Sequence, residues 1–235
     1  MTNNAIQWHS DFAKQFDNKY KSSRSFIERF TLWEALIKKY CNENSVVADV
    51  GCGSGILTIT AAKYCEHVFG FDASQEMLKI CENKKKKSGL KNVDFIESRI
   101  ESLDISQFKS VDLVLCSSVL EYVDDFWRVF DCISRLLNIG GIMIFSVPNR
   151  KSIYRKFEKF SFSISGSPKY FAFVNNVFDI NSLVTGVSGR GFDLIESGFF
   201  SKTPLLSKIM QITHTPQYSE NMLYLVCKKK SENLG

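Results

Sequence analysis

The sequence is short of several features that would each point to a class. No stretch of its 235 residues approaches the ~18 consecutive apolar residues of a membrane-spanning helix. The opening residues, MTNNAIQWHSDFAKQ, hold no apolar segment, so no secretory leader is expected. No two of the seven cysteines stand at the two-residue spacing of a metal or redox motif, and no metal is expected. Their odd number, and the apolar surroundings of Cys65, Cys116, Cys132 and Cys227, fit free buried thiols in a reducing compartment. A cytoplasmic location is therefore expected. Histidine is scarce, with only His9, His67 and His214. Internal repeats and low-complexity linkers are absent. Neither sign of charge dominates: 30 Lys and Arg face 25 Asp and Glu, a net charge of +5. The isoelectric point near 8.7 stays below the value above about 9 that marks a nucleic-acid partner by charge alone. What is present is a 44% hydrophobic fraction, enough for the core of one domain, or of one domain and a cap.

The most informative stretch is Val46 to Gly55, Val-Val-Ala-Asp-Val-Gly-Cys-Gly-Ser-Gly. It begins as a buried strand, carries one acid at Asp49, and ends in glycines at alternate positions, Gly51, Gly53 and Gly55. A helix-compatible run from Ile56 to Lys63 follows. Such a turn lets the backbone approach a ligand closely, and the helix start offers free N–H groups. The dinucleotide fingerprint G-x-G-x-x-G would need a glycine where Ile56 stands, which disfavours a nicotinamide-dependent oxidoreductase. Asp72, 21 residues after Gly51, ends the next apolar run and is placed to accept hydrogen bonds from ribose hydroxyls.

Along the rest of the chain, Phe26, Phe30, Trp33, Leu36 and Ile37 form a helical stripe within residues 1–45, with Ser25 as its expected N-cap. Strands are expected at Val46–Val50, Val68–Phe71, Val93–Ile96, Val111–Cys116 and Ile142–Val147. A helix capped by Ser74 starts near Gln75, and the Lys84–Lys87 run reads as its solvated end. Another spans Asp124 to Asn138, closed by Gly140-Gly141. Phe192–Glu196 and Met222–Cys227 complete the set as a hairpin-like pair at the sheet edge. The alternation predicts an α/β fold: a doubly wound, mostly parallel, seven-stranded sheet with helices on both faces and an antiparallel strand at the edge.

Four blocks in order, VADVGCGSG, GFDAS, VDLVLCSSVLEYVDD and LLNIGGIMIFSVPN, resemble class I S-adenosylmethionine-dependent methyltransferases over roughly residues 46–149. FDINSLVTGVSGRGFDLIE resembles the helix and strand that follow the cap in that family. Within the superfamily the chain is most similar to the small-molecule branch that includes quinone-biosynthesis O-methyltransferases. The resemblance implies S-adenosyl-L-methionine as cofactor. Asp49 would hold its amino group, the Gly51-Cys52-Gly53-Ser54-Gly55 loop would pass beneath its methionine part, and Asp72 would bind the ribose. Ala73 and Met77 would lie against adenine, and Cys116 and Ser117 would line the methionine side. Arg99 stands where the family usually places an Asp for the adenine amino group, so a backbone contact at Ile100 would replace it, with Glu101 nearby. Tyr20 and Arg29 would close over the cofactor. Tyr122 stands where many members carry His, and no catalytic base is assigned; His214 is one candidate for the acceptor side.

Residues 150–178 break the alternation with eight aromatics and six basic residues against one acid, Glu158. Two readings stand side by side: a cap that recognises an apolar or aromatic acceptor, or an insertion with its own small core. A membrane-surface role for a basic, aromatic helix is a third, although membrane association is not expected. The expected units are thus helices over 1–45, a cofactor-binding core over 46–149, the insertion over 150–178 and completion of the sheet over 179–235. The expected activity is methyl transfer to a small-molecule acceptor, at oxygen; the alternative is a cofactor-binding, non-catalytic partner subunit. An Asn-Pro-Pro-Tyr-type tetrapeptide is missing, the nearest stretch being Ser117-Ser118-Val119-Leu120, which counts against methylation of nucleic-acid bases.

Overall fold

A computed structural model describes residues 3–103, 108, 110–202 and 216–231. Three helices open the chain: α1 (Asn3–Asp11), α2 (Ala13–Ser22) and α3 (Arg24–Tyr40). The expected apolar stripe is the buried face of α3, with Trp33, Leu36 and Ile37 inside. Its cap position is Ser23, not Ser25; neither hydroxyl caps the helix, and the two instead share a hydrogen bond of 3.1 Å.

Seven strands form one sheet in the order β3-β2-β1-β4-β5-β7-β6. They are β1 (Val46–Val50), β2 (His67–Asp72), β3 (Val93–Glu97), β4 (Val111–Ser117), β5 (Leu137–Pro148), β6 (Phe192–Lys202) and β7 (Glu220–Lys229). The first five pair in parallel. β7 runs antiparallel between β5 and β6, so the antiparallel strand lies one place in from the edge. Helices α4 (Ile56–Ala61), α5 (Gln75–Ser88), α6 (Phe126–Ser134), α7 (Ile153–Ser165) and α8 (Ile180–Ser188), with a one-turn helix at Pro216–Ser219, are the other α-helices among the described residues. The starts of α5 to α8, unlike that of α4, are set by side chains that accept a backbone N–H, which removes an orphan donor of the first turn. Ser74 serves α5, Asp125 α6, Ser152 α7 and Asp179 α8.

The parallel strands are apolar on both faces, and each face has its own core. One core packs Phe126, Phe130 and Ile133 of α6 and Leu183 of α8 against Phe145, Phe192 and Leu223. The other packs Trp33 and Ile37 of α3 and Leu57 of α4 against Leu113, Leu115 and Ile144. One expected helix is shorter than its periodicity suggested. It ends at Ser134, and Leu137 and Asn138 already belong to β5. Leu137 is drawn into the sheet opposite Val111, and Gly140, at φ +79°, carries the strand through an irregularity before Ile142 pairs with Leu113. Gly140-Gly141 therefore bends a strand where a helix stop was expected.

Candidate functional site

The sheet reverses its winding between β1 and β4, and the loops leaving the C-terminal ends of these strands open a crevice there. The loop after β1 is shaped by its glycines. Gly51 sits at φ +73°, and a Cβ there would lie 2.3 Å from Val119, so no other residue fits between this turn and the loop after β4. The N–H groups of Gly51 and Cys52 donate to the Phe71 carbonyl at 2.8 and 2.9 Å, tying the loop to the end of β2. Asp72 extends that tie: one carboxylate oxygen accepts from the Gly53 N–H and the other from the Ser74 N–H, both at 2.8 Å. A carboxylate offers about four lone pairs, so two remain for a ligand's hydroxyls.

Asp49 lies below the loop, 1% exposed, and accepts from the Thr58 hydroxyl at 2.6 Å. Burial pushes its carboxyl up to about 7; the Thr58 bond opposes this and the nearby Asp72 adds to it. Glu121, on the turn after β4, is 3% exposed and also pushed up to about 7 by burial, against the pull of its own backbone N–H and of Arg29 and Arg155. Its Oε2 has no hydrogen-bond partner among the described residues. Both acids keep a proton more readily folded than unfolded, where a carboxyl titrates near ~4. The stability they contribute is complete below about pH 4 and is lost as pH rises through about 7. The Tm of the ligand-free protein is accordingly expected to fall between about pH 4 and about pH 7 and to level off above that, and Asp49→Asn to flatten the fall in a calorimetric series.

The N-terminal helices roof this crevice and enclose a cavity of about 410 Å³. Ser10 of α1 bonds Ser74 at 2.8 Å. Lys84 reaches the Ser54 carbonyl at 2.9 Å and pairs with Asp17 of α2, so the first lysine of the Lys84–Lys87 run is a tie between lid and loop, where a solvated helix end was expected. Phe16, Tyr20 and Phe26 pack edge to face over the glycine loop, and the Arg29 guanidinium lies 5.1 Å from the Phe26 ring. Burial raises the Tyr20 phenol.

The ligand-facing residues expected from the sequence mostly converge. Asp49, Gly51, Cys52, Gly53 and Asp72 line the cavity. So do Ala73, Met77, Arg99, Ile100 and Ser117, with Tyr20, Arg29 and Tyr122. Two do not. Cys116 is fully buried in the α6-side core, because alternation along β4 turns it to the face opposite Ser117. Gly55 caps α4 at φ +76° and abuts Cys81, whose sulfur would lie 2.8 Å from an added Cβ. His214 lies outside the described residues.

Residues that local reading passed over fill the other half of the cavity. The His9 ring of α1 stands 5.0 Å from that of Tyr122, edge to face, and 4.9 Å from that of Trp8. Burial, with Lys19 adding, pushes His9 down to about 4, so it is neutral at pH 7. Burial pushes the Tyr122 phenol up. On α7, Arg155 donates to Glu158 at 2.9 Å and to the Tyr170 hydroxyl at 3.1 Å, and Tyr170 donates to Glu158. Arg155 also donates to the Asn221 carbonyl at 3.4 Å, joining the inserted segment to β7. The eight aromatics of 150–178 therefore divide. Tyr154 and Tyr170 face the cavity, Phe178 packs on Phe126 in the main core, Phe162 pairs with Phe171, Phe173 lies 6.0 Å from the Trp8 ring, and Phe157 and Phe160 are exposed.

The cavity suits one kind of ligand. Asp72 has room for a pair of hydroxyls, Asp49 is a buried acid lacking a cation, and the Arg29 Nε has no partner among the described residues. A nucleoside bearing an amino-acid tail meets all three needs, and the absence of side chains at Gly51 and Gly53 leaves its path open. With the strand order and the glycine loop, the residues present fit S-adenosylmethionine, the cofactor that the sequence resemblance implies. Residues 41–170 match the model of the methyltransferase domain family, and the chain belongs to that family.

Among curated relatives, the ubiquinone biosynthesis O-methyltransferase of Vibrio atlanticus is 35% identical over 123 residues, covering 52% of this chain and 49% of the relative. Its namesake from Methylococcus capsulatus is 39% identical over 102 residues, 43% of each chain. The chain thus spans about half the length of the curated relatives it matches. Solved structures share the fold over nearly the whole chain. The N-methyltransferase NodS of Bradyrhizobium japonicum, in complex with S-adenosyl-L-homocysteine, has a TM-score of 0.70 at 14% identity, covering 97% of this chain and all of its own. The magnesium protoporphyrin IX methyltransferase ChlM of Synechocystis, also with S-adenosyl-L-homocysteine bound, has a TM-score of 0.70 at 15% identity, covering 96% and 100%.

Proposed function

We propose that the chain methylates a hydroxyl of a small apolar or aromatic acceptor. The observation that carries this reading is the division of one cavity. Its floor bears the acids and glycines that suit the cofactor, and its far half is walled by Trp8, His9, Tyr122 and Tyr154 around the buried Glu121. When bound, S-adenosylmethionine supplies a methyl group made electrophilic by its sulfonium sulfur. Asp72 would accept the ribose hydroxyls, Asp49 the ammonium, and Arg29 would face the carboxylate. Ala73, Met77 and Ile100 would contact adenine. Phe16 and Tyr20 keep water from the glycine loop, which favours a reaction in which charge is dispersed.

An acceptor hydroxyl has a proton to lose, and Glu121 is the group suited to take it. A carboxylate held at about 7 matches the ideal of a base whose pKa lies near the working pH. His9, neutral but held near 4, and Tyr122, held above its ordinary range, are poorer bases and orient the ring of an acceptor instead. The names of the curated relatives agree with oxygen as the methylated atom.

The test is transfer of labelled methyl to a panel of phenols, catechols, aliphatic alcohols and aromatic amines. Label is expected in base-stable ethers of the phenolic members. Label confined to amines would overturn the oxygen assignment. Tight binding of S-adenosylhomocysteine with no transfer to any member would favour a non-catalytic partner subunit.

A further inference from the structure

Helix α7 has two dissimilar faces. Its inner face, with Tyr154, Arg155 and Glu158, walls the acceptor half of the cavity. Its outer face carries Phe157, Phe160 and Ile164, which are 61%, 64% and 71% exposed, three of the four most exposed large apolar residues among those described. They recur at three- and four-residue steps, so they share one stripe. Lys156 and Lys159 flank that stripe and Lys169 follows the helix; all three are exposed, and none makes an ion pair among the described residues. The one acid of the segment, Glu158, is buried and consumed by Arg155 and Tyr170. The outer face is therefore apolar, aromatic and uniformly positive.

We propose that this face docks on an anionic lipid surface, with Phe157, Phe160 and Ile164 entering the headgroup boundary and the lysines meeting the lipid phosphates. A short helix with an aromatic stripe bordered by lysines is suited to lie in such an interface. A second copy of the chain is the poorer occupant. A two-fold contact through the stripe would set the same lysines against one another. A single 13-residue helix also offers less than the ~800 Å² per partner of a stable interface. The docking goes beyond the methyl-transfer reading and does not depend on it. If both hold, the helix that meets the lipid also forms the wall of the acceptor site, so an apolar acceptor need not cross bulk water.

Co-sedimentation of the full chain with vesicles tests this. Binding is expected to vesicles containing phosphatidylglycerol, weakly or not at all to pure phosphatidylcholine, and to decline as salt is raised. Phe157→Ser, Phe160→Ser and Ile164→Ser combined should lower partitioning about tenfold or more, since each loses the gain of burying a large apolar side chain. Lys156→Glu with Lys159→Glu should abolish the lipid-charge dependence. In both variants the Tm and S-adenosylhomocysteine affinity should stay at the wild-type values, which shows that the fold is intact. No binding to anionic vesicles, or equal binding by the triple variant, overturns the proposal. So does self-association in vesicle-free solution that the triple variant abolishes, because it assigns the face to a second copy.

Discussion

Glu121→Gln is expected to lower kcat by about 10²–10⁴-fold, the usual contribution of a positioned proton acceptor, while S-adenosylhomocysteine affinity changes little. The substitution keeps the size and a hydrogen-bonding oxygen but removes the capacity to accept a proton at pH 7. The pH profile separates this from a packing defect. Because burial holds the Glu121 carboxyl at about 7, the active ionised form accumulates as pH rises. The wild-type rate should climb through about pH 7 and level off above it, and the Gln variant should be flat across that range. A wild-type profile with no inflection near neutrality, or a variant that retains it, would sink the assignment. Arg29 and Arg155 set the position of the limb. Each favours the ionised form, so Arg29→Met should move the inflection to higher pH. That shift is distinct from any loss of cofactor affinity.

Asp72→Ala is expected to weaken S-adenosylhomocysteine binding by roughly 2–3 kcal/mol, about 30–150-fold, the scale of a lost charged hydrogen-bonding group. Two effects combine. The ligand loses its hydroxyl acceptors, and the glycine loop loses its brace, because Asp72 also holds the N–H groups of Gly53 and Ser74. Asp72→Asn divides them: one side-chain oxygen remains to accept from the loop, and the negative charge is gone. Isothermal calorimetry should place Asn between wild type and Ala. Unchanged affinity in the Ala variant would remove Asp72 from the ribose site.

That Asp49, the glycine loop and Asp72 would line one cavity was readable from the sequence because these residues are local. Asp49, the glycines and Asp72 lie within 24 consecutive residues of one strand–loop–helix–strand run, where spacing alone dictates which backbone groups converge. The opposite side of the cavity was not, because its members come from distant parts of the chain. His9 arrives on α1, Glu121 after β4, Arg155 on α7 and Asn221 on β7, and no periodicity relates them. Glu121 stood within a recognised block, yet nothing short of its burial distinguished it from a surface acid. Leu137 and Cys116 failed for a related reason. Helical spacing admitted Leu137, but pairing with Val111 won, and one step along β4 sends Cys116 to the core and Ser117 to the cavity. Lys84 reads as a solvated lysine until the lid helix brings Asp17 to it.

The place of β7 in the sheet bears on how the molecule is made. Among the described strands β6 pairs with β7 alone, and β7 is drawn from residues 220–229. During synthesis the five parallel strands can assemble as they emerge, since each finds its neighbour already present. β6 cannot; it waits, unpaired, until the segment that must slot between it and β5 has cleared the ribosome. The cavity wall that carries Arg155 waits with it, because Arg155 and Ser152 are anchored on Asn221. The cavity floor with Asp49 and Asp72 can thus take shape early in translation, whereas this wall is completed later.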